Sequence, residues 1–328
     1  MKEVVKQRSA FVTGATGCIG SALVSRLSGD GWRVVALVRD RKRADHLPEA
    51  LEIVEGDLSD WEQIAEVMRE CQVVFHLAAK VHAPPGTQLQ EFERVNAAGT
   101  RNVVAAAIEN QVERFVYFST VAVYGESKEV ADESKFPRPT TPYGATKLDA
   151  ERIALAATEL KPTVLRLPVV YGPRDQGNVA KLIEAIRRNR YFIVGDGQNL
   201  KSMVAVENVV DAALLVASDE RAIGEIFNVT DGRPYSQEEI AVTIAELLGK
   251  KRPAKLPRWP LLMAGQAGDL IENLTGAALP ISSDRVRKLS SDTVFSSAKI
   301  ERELDFKPRV MLREGLAQAI QNNLKSRI

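Results

Sequence analysis

A glycine-rich turn near the start of the chain constrains its fold more than any other feature. The turn, Thr13-Gly14-Ala15-Thr16-Gly17-Cys18-Ile19-Gly20, follows an apolar run at residues 10–12 and precedes a helical pattern that ends at Gly29-Asp30-Gly31. This order predicts a strand, a tight turn and a helix. The first N–H groups of the helix have no partners within it, and glycines let a pyrophosphate approach the backbone. Since similar turns occur in folds that bind no ligand, the turn alone leaves both interpretations open.

Composition narrows the class of protein. The 328 residues are 45% apolar and carry 44 basic against 43 acidic side chains. This charge balance does not indicate nucleic acid as a partner. Cys18 and Cys71 are the only cysteines and there are three histidines, which predicts neither a disulfide framework nor a metal site. Residues 1–9 lack a signal-peptide core and no apolar window is long enough to span a bilayer. We therefore expect a cytoplasmic protein without membrane insertion.

Apolar segments that alternate with helical patterns predict the fold class. The predicted strands cover residues 10–12, 33–38, 51–54, 73–79, 114–118 and 163–167. Strands separated by helices indicate an α/β protein with a parallel, doubly wound, Rossmann-like sheet. Ligands of such sheets bind at the carboxyl ends of the strands, so the residues that follow each strand are candidates for a binding site.

Arg39 and Asp40 follow the second predicted strand. In a dinucleotide fold this point faces the adenosine ribose, where an acid binds the 2′-hydroxyl and an arginine accepts a 2′-phosphate. Arg39 comes first, so the sequence favours NADP(H) over NAD(H). Asp40 could still turn inward and Arg39 could be an ordinary solvated charge, so both cofactors stay open.

Polar and small residues follow the later strands. Asp57 could bond an adenine amino group or serve only as a turn residue, and we interpret His76 as structural. Ala78-Ala79 would let a flat cofactor lie against the backbone. The fifth strand leads into Ser119-Thr120, which places two hydroxyls at the edge where ligands bind.

Tyr143 and Lys147 begin a predicted helix after a loop rich in proline and charge. Because they are four residues apart, they share one face of that helix. Such a pair often arises by chance. Here it follows a glycine turn, a hydroxyl-bearing strand end and the required order of strands, which favours a functional pair.

Taken together, these motifs resemble the extended short-chain dehydrogenase/reductase superfamily. The matching pieces recur in family order: residues 13–20, Gly56-Asp57-Leu58, His76-Leu77-Ala78-Ala79, Val95-Asn96, Ser119-Thr120, Val123-Tyr124-Gly125, residues 143–147, and Leu165-Arg166 through Val170-Tyr171-Gly172-Pro173. Later stretches look most like the nucleotide-sugar branch, the UDP-hexose 4-epimerases and 4-ketoreductases of bacterial polysaccharide pathways: Ala79-Lys80-Val81-His82, residues 91–96, Gly177-Asn178, Gly195-Asp196-Gly197, residues 202–211 and Phe306-Lys307-Pro308.

The resemblance implies roles for particular residues. Tyr143 would be the acid/base, Lys147 would hold the nicotinamide ribose and lower the pKa of Tyr143, and Thr120, rather than Ser119, would hydrogen-bond the reacting oxygen. The implied cofactor-binding residues are Gly14, Gly17, Cys18, Ile19, Gly20, Arg39, Asp57, Leu58, Leu77, Ala78, Ala79, Lys80, Asn96, Tyr143, Lys147, Pro168 and Val170. The implied substrate-binding residues are Val81, Thr120, Arg174, Asn178, Lys201 and Arg285.

Two residues depart from the branch. Many relatives place an arginine where Lys201 stands, so here a point charge would replace a bidentate contact with substrate phosphate. Lys201 could still serve, or Arg174 or Arg285 could hold that phosphate instead. The 4-epimerases that hold NAD usually carry an acid where Arg39 stands, which favours a reductase over an epimerase.

The second half of the chain predicts a smaller substrate-binding region. We expect a dinucleotide-binding core at residues 1–170, with a segment of about 198–235 returning to it, and a cap at 171–197 and 236–328. Helices are predicted near 179–190, 208–218 and 237–248, with short strands at 191–194 and 225–229. The apolar stretch 259–274 we interpret as an amphipathic cover, with a lipid-facing patch or a partner surface as alternatives. The helices around 89–110 and 143–160 resemble those through which relatives dimerise, so we expect a homodimer.

Three functions follow from these patterns. The first is an NAD(P)-dependent 4-epimerase or 4-ketoreductase of a UDP-hexose, two reactions that share the same catalytic residues. The second is an NADP-dependent reductase of a non-nucleotide alcohol or ketone, such as a steroid- or flavonoid-like compound. The third is a dinucleotide-sensing protein without catalysis, which would have no use for the proton-transfer group at Tyr143.

Overall fold

The computed structural model describes residues 7–81, 89–126, 129–260, 263 and 291–325. Its strands are β1 (Ser9–Thr13), β2 (Arg33–Val38), β3 (Glu52–Glu55), β4 (Val73–His76), β5 (Arg114–Thr120), β6 (Pro162–Leu167), β7 (Val169–Tyr171), β8 (Ile193–Val194), β9 (Leu200–Lys201), β10 (Met203–Ala205), β11 (Ile226–Asn228), β12 (Tyr235–Ser236) and β13 (Lys255–Leu256). Its helices are α1 (Cys18–Gly29), α2 (Trp61–Val67), α3 (Leu89–Glu93), α4 (Gly99–Glu109), α5 (Pro142–Ala156), α6 (Asn178–Arg187), α7 (Val206–Ser218), α8 (Gln237–Leu247), α9 (Ala298–Leu304) and α10 (Leu312–Lys325).

The central sheet of the described chain has seven strands in the order β11-β6-β5-β4-β1-β2-β3. Every pairing between neighbours is parallel. The carboxyl ends of β1 and β4 therefore lie side by side, with Thr13 opposite His76. This confirms the predicted doubly wound sheet.

Helices cover both faces of this sheet, which explains why its strands read as continuous apolar runs. On one face Ala10 and Val12 pack against α1, α7 and α9. On the other face Phe11 packs against α2, α4 and α5. The alternation along β1 thus anchors the two helical layers and holds the turn that follows it.

A third apolar core joins α6, α8 and α10 beside the sheet. Ile183, Ile244 and Leu316 contribute to it from the three helices, and all three are buried. The short strand β10 pairs in parallel with β7, and α7, which follows it, packs on the central sheet. The segment 203–218 therefore contacts both β7 and the central sheet. The division of the chain into a dinucleotide-binding core and a cap stays a prediction.

The fourth strand and the helix predicted at 89–110 differ from the sequence predictions in ways that affect the site. The fourth strand ends at His76 rather than at residue 79, because Leu77 and Ala78 turn to donate their N–H groups to the Thr13 backbone carbonyl and side-chain hydroxyl. The helix predicted at 89–110 contains a π-helical segment, Arg94–Ala98, between α3 and α4. Such segments often occur at functional sites.

Some predicted features fall outside the described residues. Arg285 is one of them, as is the stretch 259–274 apart from residues 259, 260 and 263. Among the helices that are described, none has the length and apolar character needed to cross a membrane. The described histidine, cysteine and acidic side chains form no cluster of three or more that could hold a metal ion.

Candidate active site

A cavity of about 530 Å³ opens at the carboxyl ends of the central strands. Most of the predicted cofactor-binding residues line it: Gly14, Gly17, Cys18, Ile19, Gly20, Arg39, Asp57, Leu58, Leu77, Ala78, Ala79, Tyr143, Lys147 and Val170. Of the predicted substrate residues, Val81 and Arg174 line the same cavity. One cavity therefore contains the glycine turn at one end and the Tyr143–Lys147 pair at the other.

The glycine turn packs too closely for side chains. Gly14 has a positive φ of 73°, and a Cβ placed on it would lie 2.8 Å from the Ala78 backbone nitrogen. A Cβ on Gly20 would collide with the Gly14 carbonyl oxygen. The start of α1 has no acidic residue in its first turn and no side-chain cap on Gly17. Its first N–H groups are thus available to an anion, as a dinucleotide pyrophosphate requires.

The end of β2 brings two arginines to the cavity, Arg39 and Arg43. Asp40 does not line it, because its carboxylate caps the 3₁₀ turn Arg41–Ala44 by accepting the Lys42 N–H at 3.0 Å. Arg43 was not predicted as a site residue. The signal in the sequence was its position four residues after Arg39. Asp57 lines the cavity and also accepts two hydrogen bonds from Ser59, which lower its pKa.

Tyr143 lies at the other end of the cavity, where its side chain hydrogen-bonds with Thr120. Burial raises the pKa of Tyr143 to about 12, and only the Thr120 hydrogen bond opposes this. Lys147 is not among the causes of this shift, in which desolvation of the phenolate dominates. The lowering of the Tyr143 pKa by Lys147 and a bound cofactor stays a prediction.

Lys147 is fully buried below Tyr143 on α5. Its Nζ donates to the Phe118 carbonyl oxygen at 2.6 Å and lies 4.1 Å from the centroid of the Tyr117 ring. Burial lowers the pKa of Lys147 to about 7, while the nearby Glu151 carboxylate acts in the opposite direction. Lys147 therefore changes its charge near neutral pH in this structure.

Ser119 and Thr120 serve different partners although they are neighbours. The Ser119 hydroxyl donates to Glu151, whose carboxylate forms a buried salt bridge of 2.6 Å with Arg166. Thr120 accepts the Ala122 N–H and hydrogen-bonds with Tyr143. Ser119 is thus held in a structural network, but it lines the cavity and Thr120 does not, so the choice of Thr120 over Ser119 as the partner of a reacting oxygen stays a prediction.

Asn96 and His76 form hydrogen bonds with residues around the cavity. Asn96, on the π-helical segment, accepts the Lys80 N–H at 2.7 Å and donates to Thr146 at 3.0 Å. His76 contacts the hydroxyls of Thr13 and Thr100 at 2.6 and 3.0 Å, and burial lowers its pKa to about 3. His76 is therefore neutral and structural, as expected. Lys80, Asn96, Thr120 and Pro168 are not among the residues that line the cavity.

The role predicted for Lys201, a contact with a substrate phosphate, stays a prediction. Lys201 is in β9, and its Nζ donates to the Ser291 carbonyl oxygen at 2.7 Å and to the Thr293 hydroxyl at 3.1 Å. It does not line the cavity, because these contacts hold it against a distant part of the chain. Asn178, the first residue of α6, follows the lining residue Gly177 but does not line the cavity itself.

The fold and this site together define a dinucleotide-dependent enzyme of the short-chain dehydrogenase/reductase type. More narrowly, the chain belongs to the NAD dependent epimerase/dehydratase family, whose model matches residues 10–230. The family membership agrees with the glycine turn, the free start of α1 and the Tyr143–Lys147 pair.

Three similar proteins illustrate the range of the family. An N-acetyl-α-D-glucosaminyl-diphospho-ditrans,octacis-undecaprenol 4-epimerase of Escherichia coli O157:H7 is 30% identical over 95% of this chain and 94% of its own. A 4-hydroxy-2-methyl-3-oxo-4-farnesyl-3,4-dihydroquinoline-1-oxide ketoreductase of Stigmatella aurantiaca is 33% identical over 93% and 94%. The solved structure of MoeE5 in complex with UDP-glucuronic acid and NAD is 32% identical, covers 97% of this chain and 99% of its own, and superposes with a TM-score of 0.77.

Proposed function

We propose that this enzyme is an NADP(H)-dependent 4-ketoreductase of a UDP-hexose in bacterial polysaccharide or O-antigen sugar synthesis. The observation that carries the proposal is the pair of arginines, Arg39 and Arg43, on the cavity wall where the adenosine ribose would bind. Asp40, the acid that could favour NAD, is used as a cap instead. A cofactor with a 2′-phosphate is typical of an enzyme that exchanges its cofactor at each turnover.

The chain's own residues would manage the proton. The bound nicotinamide supplies the hydride to the ketone carbon. Tyr143, with a pKa raised to about 12, is protonated at neutral pH and would give its proton to the ketone oxygen. Thr120 would hydrogen-bond that oxygen, and Lys147 would hold the nicotinamide ribose.

A 4-epimerase with tightly held NAD is the second candidate. It is favoured by the comparisons, since the Escherichia coli relative is a 4-epimerase and MoeE5 was solved with NAD. In this case the keto intermediate would rotate within the site and take the hydride back on its other face. The residues around Tyr143 would be the same.

A reductase of a non-nucleotide ketone is the third candidate, favoured by the Stigmatella aurantiaca ketoreductase. All three candidates keep the same acid/base. They differ in the cofactor that the purified protein retains and in the substrate that it accepts.

Mass spectrometry of the released cofactor, followed by incubation with sugars, separates them. We expect an empty site that oxidises added NADPH only with a UDP-4-keto-hexose. Retained NAD, with UDP-glucose or UDP-N-acetylglucosamine interconverted without net redox change, would identify an epimerase instead. NADPH oxidation by simple ketones but not by keto sugars would favour the third candidate.

We also infer that the enzyme is a cytoplasmic homodimer, paired through the helices α4 and α5. Size-exclusion chromatography with light scattering tests the dimer, and a monomer at micromolar concentration would contradict it.

A further inference from the structure

The loop between β7 and α6 packs against the glycine turn. The Cys18 thiol, at the start of α1, donates to the Pro173 carbonyl oxygen at 3.2 Å. Arg174 follows, and it lines the cavity together with Gly17 and Cys18. The resemblance to relatives implied that Arg174 binds substrate, but these contacts bring it to the start of α1, where a cofactor pyrophosphate would bind.

The backbone of this loop is held in an uncommon conformation. Arg174 has a φ of 63°, a left-handed value that residues with a Cβ seldom adopt. Asp175, which is buried, fixes the loop by accepting the N–H groups of Gly177 and Ala180 at 2.7 and 2.9 Å. Strained conformations of this kind persist where the surroundings hold them, and they are frequent at ligand-binding sites.

The Arg174 charge acts on groups at the start of α1 and beside the turn that carries Arg43. It contributes to lowering the pKa of His46, which follows the 3₁₀ turn that carries Arg43. It also acts on the Cys18 thiol at the start of α1, against the larger effect of burial. No such effect of Arg174 is found on Tyr143 or Lys147.

Arg174 thus lines the same cavity as Arg39 and Arg43. Within the described ranges, none of the three forms a salt bridge. Guanidinium groups bind phosphate oxygens in a bidentate manner, and three of them beside a free helix start suit a ligand with several phosphates. A dinucleotide with a 2′-phosphate is such a ligand.

We propose that Arg174 binds the phosphates of the dinucleotide cofactor rather than a phosphate of the substrate. Its loop leads directly into Asn178 and α6, so cofactor binding would also fix the start of the helix predicted to contact substrate. The inference rests on the proposed function, because it assigns a third phosphate ligand at the cofactor end of the same site.

Isothermal titration with nucleotide fragments tests the assignment without turnover. The probes are 2′,5′-ADP and ADP for the cofactor end and UDP for the substrate end, each titrated into the wild type, Arg174→Gln and Arg190→Gln. Arg190 is the control, since it is exposed, lies beyond the far end of α6 and does not line the cavity. We expect Arg174→Gln to weaken an adenine nucleotide by about tenfold or more, as for loss of a charge-assisted hydrogen bond. UDP binding should be unchanged.

The two adenine probes identify which phosphate is bound. A loss confined to 2′,5′-ADP assigns Arg174 to the 2′-phosphate, and a loss for both probes assigns it to the 5′-diphosphate. Weaker UDP binding with normal adenine nucleotide binding would overturn the proposal, as would equal losses for all probes or no loss at all. Arg174→Gly, which suits the positive φ while removing the guanidinium, provides a second variant in case Gln disturbs the loop.

Failure of the proposed function would look different. A wild type that binds ADP as tightly as 2′,5′-ADP would contradict the NADP(H) preference, and one that does not bind UDP would contradict the nucleotide-sugar substrate. In either case the Arg174 assignment is still decided by the adenine nucleotides.

Discussion

Tyr143 is protonated at neutral pH, since the ordinary pKa of a tyrosine already lies above 7 and burial raises it further, to about 12. A proton donor of this kind suits the reduction of a ketone, whose oxygen must gain a proton as the carbon gains hydride. The same burial would hinder the reverse reaction until a bound cofactor changes the charge nearby. At the scale of single residues, a protonated Tyr143 supports the proposed reduction.

Replacing Tyr143 with Phe removes this proton donor and should change little else. We expect kcat to fall by about 10²- to 10⁴-fold, the usual contribution of general acid catalysis. The dissociation constant of NADPH, measured by fluorescence, should stay close to the wild-type value. Tyr191→Phe is the control, since the Tyr191 hydroxyl only accepts a hydrogen bond from Gln237. Near-normal turnover in Tyr143→Phe would remove Tyr143 from the mechanism.

Arg39 is expected to determine the choice of cofactor. Arg39→Asp places an acid where the adenosine ribose would bind, which repels a 2′-phosphate and can accept a 2′-hydroxyl. The ratio of kcat/KM for NADPH over NADH should fall by at least about tenfold, the loss expected for one charge-assisted hydrogen bond. Arg41→Asp, an exposed change in the neighbouring turn, is the matched control. Unchanged preference in Arg39→Asp would show that the 2′-phosphate is bound elsewhere.

Lys147 should make the stability of the cofactor-free protein depend on pH. Its pKa is lowered to about 7 in the folded state, whereas an unfolded lysine titrates near pH 10.4. Between these values the unfolded chain binds the extra proton, so stability rises as pH increases above 7. Urea unfolding at pH 7, 8 and 9 should show a rise in the wild type that is smaller in Lys147→Met. Parallel curves for the two proteins would contradict the buried, deprotonated lysine.

At the scale of elements, α5 is joined to the sheet by one buried ion pair. Glu151 and Arg166 are both almost inaccessible to solvent, and the pair links α5 to β6 near the proposed catalytic residues. Arg166 also lies 4.8 Å from the Tyr124 ring, in the 3₁₀ turn after Thr120. The pair therefore connects the elements that carry Tyr143, Lys147 and Thr120.

Breaking this pair should cost much more than breaking an exposed one. Glu151→Gln leaves the Arg166 charge buried and uncompensated, and we expect the free energy of unfolding to fall by about 3–5 kcal/mol. Asp149→Asn, on the same helix, breaks an exposed pair with Arg152 and should cost less than about 1 kcal/mol. Urea unfolding of both variants measures the difference. Equal effects would show that the buried pair contributes no more than a surface pair.

The sequence predicted the elements better than it predicted their contacts. Buried parallel strands are continuous apolar runs that end in glycine or polar residues, so the strands of the parallel sheet and the glycine turn were predictable. The π-helical segment at 94–98 was not, because its residues suit an ordinary helix equally well. The distant partners of Lys201, at residues 291 and 293, leave no local pattern. The role of Asp40 as a cap depends on the 3₁₀ turn Arg41–Ala44. The three basic residues of that turn have no pattern that predicts it.

At the scale of the molecule, the cavity wall comes from two regions of the chain. The strand ends and the glycine turn form most of it, and residues 174–177 add a wall that leads into α6. The core of α6, α8 and α10 is separate from the two cores of the sheet. A ligand that contacts both regions would hold them together and oppose unfolding.

Thermal unfolding in the presence of UDP therefore separates a nucleotide-sugar enzyme from a reductase of other ketones. A ligand at 100 times its Kd adds about 2.7 kcal/mol of stability, enough to raise Tm by several degrees. We expect UDP to give such a rise on its own and to add to the rise given by NADPH, since the two would occupy different parts of one cavity. Uridine, which lacks the diphosphate, is the matched control and should have a smaller effect. If NADPH raises Tm and UDP at millimolar concentration does not, the uridine nucleotide has no site, and the substrate is a ketone without a nucleotide.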